Sequence, residues 1–127
     1  MTTPLDDLSL PNNIESEKAV LGAILINNDG FHTAAERVSA TDFYRDAHRR
    51  IFQAMEALSG ARQPIDLVTL KAALGKQGDL ESVGGPAYIA ALVDGVPRST
   101  NVEHYAGIVR DHAIRRDLIA ASNTILQ

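Results

Sequence analysis

The chain has 127 residues, a formal net charge of −4, 45% hydrophobic residues and no cysteine. That length and apolar content suit one domain with a single packed core, and the missing cysteines exclude a disulfide framework and thiolate metal sites. An acidic balance disfavours a domain whose main work is holding nucleic-acid phosphates, which needs a basic excess.

Residues 1–12 read as a tail with prolines at positions 4 and 11. It has no basic residue and no apolar core, so it is not a signal peptide. The longest apolar run, Ala19 to Ile26, is too short to span a bilayer. A chain without thiols suits a reducing cytoplasm.

Asn13 is the first helix cap, and Glu15 and Glu17 fall in the first turn, at the positive end of the helix dipole. Leu21, Ile24 and Leu25 give that helix an apolar face. Gly22 costs it about 1 kcal/mol against Ala, which close approach of a neighbouring helix explains. Residues 27–30, Asn-Asn-Asp-Gly, end it. A short helix spans about Phe31 to Val38, and Ala35 to Ala40 is the one span where strand competes with helix. Thr41, Asp42, Phe43 and Tyr44 form a turn carrying two aromatics.

The third helix runs from about Asp46 to Ser59, with Ile51, Phe52, Met55 and Leu58 on one face. Asp66 caps a fourth helix that reaches Gln77, where Gly78 stops it. Gly84 and Gly85 reset the backbone for a fifth, from Pro86 to Val93, with Tyr88, Ile89 and Leu92 inward. After the break at 94–97, Ser99, Thr100 and Asn101 are candidate caps. From there a helix of about 25 residues is predicted, roughly 38 Å at 1.5 Å per residue. Its apolar positions drift around more than one face, so its C-terminal half needs a partner helix. The pattern stops without a capping signal, which predicts a piece of a longer chain.

No catalytic constellation emerges. Gly75-Lys76-Gln77 lacks the leading glycine and the hydroxyl of a phosphate loop. His32, His48, His104 and His112 have no zinc spacing and read as surface or partly buried. Arg45, His48, Arg49 and Arg50 cluster beside Phe43 and Tyr44, either as a nucleic-acid patch or as a solvated helix face. Arg110, Arg115 and Arg116 interleave with Asp111 and Asp117, as a charged rim on a helix–helix seam would.

The motifs Ile14-Glu15-Ser16-Glu17-Lys18-Ala19-Val20-Leu21-Gly22, Asp42-Phe43-Tyr44, His48-Arg49-Arg50-Ile51-Phe52, Pro64 to Leu70, Val83 to Tyr88 and Asn101 to Arg110 follow one another in order. Together, over about residue 10 to the end, they resemble the N-terminal domain of the bacterial replicative DNA helicase, the DnaB family. The resemblance implies an all-α fold, with a globular head over 13–100 and, over 101–127, the first arm of a helical hairpin. It implies partners: copies of the chain paired through hairpins, three pairs in a hexameric collar, and primase, with a helicase loader as a further candidate. DNA would be met by the whole ring. ATP and magnesium belong to a separate RecA-like motor, so these residues would bind no cofactor or metal and would not act as an enzyme alone. Glu15, Tyr88, Leu118, Ile119 and Ile125 fall at positions that the family uses between subunits or toward primase. Plainer readings stand beside these: Glu15 as a first-turn acid, Tyr88 as a core aromatic with its hydroxyl at the surface, Ile119 and Ile125 as arm packing. The alternative function is a free-standing helical DNA-binding domain using the Arg45 to Arg50 cluster.

Overall fold

The computed structural model describes residues 10–96 and 100–126. The tail before Leu10, the break at 97–99 with the candidate cap Ser99, the side chain of Leu126, and Gln127 lie outside that description. Six α-helices are described, with no strand among these residues: α1 Ile14–Ile26, α2 Gly30–Ala35, α3 Asp46–Gly60, α4 Leu67–Gln77, α5 Gly85–Asp94 and α6 Val102–Leu126. A single 3₁₀ turn, Ala40–Asp42, precedes α3.

The core is built around α1, which touches α2, α3, α5 and α6. Val20, Leu21 and Ile24 are fully buried. A helix wrapped on several sides is apolar around most of its girth, as the run Ala19 to Ile26 is. Asn13 caps α1 by accepting the backbone N–H of Ser16 at 2.9 Å. Gly22 lies under α5: a Cβ there would collide with the Leu92 carbonyl oxygen and the Val96 side chain. The helix gives up propensity at Gly22 and gains a close helix crossing.

α3 buries Ile51, Phe52, Met55 and Leu58. Phe52 stacks on Phe31 with ring centroids 5.5 Å apart and tilts against Phe43 at 5.1 Å. Each such buried side chain contributes about 1.5–3 kcal/mol of transfer free energy. Asp66 and Thr69 cap α4 reciprocally, each accepting the other's backbone N–H at 2.9 Å. Gly84 and Gly85 take φ values of 115° and 76° between α4 and α5, a left-handed path that a side chain would strain.

The second helix departs furthest from the sequence reading. The second helix starts at Gly30 and stops at Ala35, short of Val38. The amides of Arg37 and Val38 both turn back to the Ala34 carbonyl at 2.9 Å, which closes the helix. The ambiguous span after it leads into the 3₁₀ turn, where Asp42 accepts the Ser39 N–H at 2.9 Å.

Helix α6 has 25 residues. Asn101 caps it, accepting the His104 N–H at 3.1 Å. Ala106, Val109 and Ala113 are buried against the head, and their small side chains let α6 lie close on α1. From Asp117 to Ile125 every residue is exposed. The helix therefore leaves the globule behind it.

Candidate docking surface

At α6, Ile114, Leu118, Ala121 and Ile125 are exposed. Their spacing of four, three and four residues is the heptad rhythm of a helix–helix seam. At 100° per residue this stripe lies roughly 120° around the helix from the buried Ala106, Val109 and Ala113. It faces away from the head, and nothing among the described residues covers it. Leu118 is 62% and Ile125 83% exposed. Ile119, 37% exposed, does not share this stripe. It sits on a third flank, roughly 130° from the seam.

The arginines of α6 correct the sequence reading. Arg116 lies on the side of the helix opposite that seam, and both Arg110 and Arg116 are bonded to the head. Arg110 pairs with the buried Asp42 at 2.9 Å. Arg116 donates to the carbonyls of Pro11, at 2.8 Å, and Asp42, and lies over the Tyr44 ring at 5.3 Å. They clamp α6 to the head because the 3₁₀ turn presents acceptors just where the helix departs.

On the head, Glu15 is exposed and within reach of Lys18 at 3.7 Å. It lines an open groove of about 650 Å³ formed with Val96 and with Asn101, His104 and Tyr105 at the start of α6. Tyr88 is half-buried, and its hydroxyl is engaged: His48 Nε2 lies 2.6 Å away, and Arg45 donates to it at 3.1 Å. Behind it, His48 Nδ1 lies 2.7 Å from Glu17 Oε1. Glu17 Oε2 accepts the Tyr44 N–H at 2.7 Å. Glu17 and His48 are 1% and 0% exposed. The expectation of a surface or partly buried histidine fails at His48, because this chain of polar partners lets an imidazole sit in the core.

Arg49 and Arg50 of the basic cluster are likewise engaged internally. Arg49 donates to the carbonyls of Phe43 and Tyr44 at 2.7 and 3.0 Å. Arg50 pairs with Asp46 at 2.9 Å and Asp79 at 3.2 Å. These contacts leave little of the cluster for phosphates, and the DNA-binding alternative is not favoured. Gly75 and Lys76 lie inside α4, where backbone N–H groups serve the helix rather than a phosphate loop. No group of three or more metal-ligating side chains occurs among the described residues.

Residues 9–111 match the family described as DnaB-like helicase N terminal domain. The chain belongs to that family.

It is 46% identical over 115 residues to the replicative DNA helicase DnaB of Treponema pallidum, covering 91% of this chain and 26% of that protein. It is 42% identical over 127 residues to the replicative DNA helicase DnaC of Bacillus subtilis, covering 100% of this chain and 28% of that protein. The chain thus spans about a quarter of the length of these curated relatives. The crystal structure of the N-terminal domain of DnaB helicase from Mycobacterium tuberculosis superposes with a TM-score of 0.90 at 35% identity, covering 94% of this chain and 86% of that one. A DnaB-like replicative helicase solved with regard to its interactions with primase gives 0.77 at 25% identity, covering 90% of this chain and 27% of that one.

Within this DnaB-type domain, sequence reasoning missed Glu17 and His48. The signal was present. Glu17 follows Ile14 by three residues and precedes Leu21 by four, on the stripe that packs inward. His48 stands in the same relation to Ile51 and Phe52. A polar residue on the buried stripe of each of two helices asks for a partner.

Proposed function

We propose that this chain is the collar module of a hexameric replicative helicase. Its head over 13–100 carries a hairpin arm that begins at 101. The arm pairs with the arm of a second copy, three such pairs close the collar, and the outer surface receives primase. The observation that supports this most is the bare seam Ile114, Leu118, Ala121 and Ile125 on a helix that outruns its own head. Isolated apolar stripes of this kind are costly in water and mark association surfaces. ATP and magnesium would serve the motor domain, DNA would be gripped by the assembled ring in the cytoplasm, and a loader would meet the same ring.

Glu15, Tyr88 and Ile119 are assigned to the primase side, Leu118 and Ile125 to the subunit seam. The division follows their faces: the seam pair looks away from the head, the other three belong to the head or to a different flank of α6. The test is calorimetric titration of the chain, extended through the second arm, with primase from the same organism. Binding that weakens on Glu15→Lys while the fold stays intact supports docking. An intact collar that binds no primase at high micromolar concentration contradicts it.

A further inference from the structure

Helix α6 presents three faces. Ala106, Val109 and Ala113 meet the head, and Ile114, Leu118, Ala121 and Ile125 form the seam. The third flank carries Ile119, with Arg115 and Arg116 one turn before it on either side. Ile119 is 37% exposed. Arg116 is bonded to the head, whereas Arg115 forms no ion pair among the described residues. This flank is therefore an apolar side chain beside an unanswered positive charge.

The chain's own N-terminal segment arrives there. Helices α1 and α6 run antiparallel. Gly30, past the end of α1, approaches Val102 at the start of α6. Ser16 and Ala19 share a groove with Tyr105 and Ile108, and Pro11 meets Arg116. Followed backwards from α1, the backbone moves toward the C-terminal end of α6. Two hydrogen bonds hold it on that course: Arg116 donates to the Pro11 carbonyl at 2.8 Å, and the Asn12 side chain donates to the Leu10 carbonyl at 2.7 Å. Leu10, 45% exposed, is the last described residue in that direction.

Residues 1–9 precede it. They include Leu5 and Leu8, and their charged side chains are Asp6 and Asp7. The stretch of α6 from Arg116 to Leu126 is about 15 Å long at 1.5 Å per residue. A segment of that length spans about 30 Å when fully extended, so it reaches the whole flank. Its composition is the complement of the flank, leucines for Ile119 and carboxylates for the Arg115 side.

We infer that residues 1–9 seat on the Ile119 flank of α6 in the same molecule, with Leu5 and Leu8 covering Ile119 and the two aspartates drawn to Arg115. The seam lies on another face, so a helix can cover it while the tail stays in place. The contact does not depend on the docking reading, although a docking protein that uses Ile119 has to displace the tail first.

The test uses the 127-residue chain. Starting it at Leu10 keeps the Pro11–Arg116 bond and removes only the segment in question. Amide exchange from Asp117 to Ile125 is expected to accelerate severalfold, with α1 and α3 unchanged. The chain has no cysteine, so a pair of cysteines reports without interference. Ser9→Cys with Asn123→Cys should close a disulfide within one molecule, faster than Ser9→Cys with Ala121→Cys on the seam. Adding Leu8→Asp to the first pair should slow closure about tenfold, the scale of burying one leucine. That variant separates a seated tail from one merely tethered nearby. Unchanged exchange in the shortened chain, closure indifferent to Leu8→Asp, or a disulfide that links two molecules would each overturn the inference.

Discussion

Nδ1 of His48 on α3 meets Oε1 of Glu17 on α1 at 2.7 Å, with both side chains sealed from solvent. This contact pins two core helices together and carries the 43–45 segment with it through the Glu17 carboxylate. A buried acceptor that serves several donors is expensive to delete, because each donor is left unpaired at about 1–3 kcal/mol. Glu17→Ala is therefore expected to destabilise the chain by about 3 kcal/mol or more, read as a lower urea midpoint at unchanged slope.

Gly22→Ala sets two effects against each other. Helix propensity favours Ala by about 1 kcal/mol. The added Cβ meets a backbone carbonyl, Leu92 O, which cannot rotate away. Overpacking costs of about 1–3 kcal/mol are usual in such places, so the net result is a lower melting temperature by calorimetry.

Leu70 and Val68 lie on the same helix and should behave oppositely. Leu70 is fully buried and Val68 is 73% exposed. Leu70→Ala is expected to cost about 2–5 kcal/mol, whereas Val68→Ala should stay within about 0.5 kcal/mol of the parent. Equilibrium denaturation of both variants checks the assigned face of α4.

Arg116→Ala removes the tie between the departing arm and the head at Pro11, Asp42 and Tyr44. The core should hardly notice, since these contacts sit at its edge. Amide exchange in the second half of α6 should accelerate, while α1 and α3 keep their protection.

The helices were legible because their signals are local. Asn13 and Asp66 cap within three residues, and Gly78 ends α4 in the left-handed conformation that only a glycine takes easily. The length of α6 was legible for the same reason, as was the apolar surplus on its far half. The fate of the arginines was not. Arg50 finds Asp79 across a separation of 29 residues, and Arg110 finds Asp42 across 68. A basic run looks the same in sequence whether it faces solvent or folds back onto carbonyls. Leu118, Ile119 and Ile125 were grouped by the family resemblance, which does not say which flank each takes; helical geometry puts Ile119 on a different flank from the other two.

The central claim is that the Ile114, Leu118, Ala121 and Ile125 seam exists to be covered by another helix. Its most direct test is sedimentation equilibrium of the chain extended through the second arm, comparing parent with Leu118→Asp and with Ile119→Asp. A carboxylate in an apolar seam is costly, so Leu118→Asp should shift the parent's paired mass to that of a monomer with the head still melting cooperatively. Ile119→Asp, off the seam, should disturb pairing less. A parent that stays monomeric at high micromolar concentration, or a Leu118→Asp chain that pairs as tightly as the parent, would contradict the account.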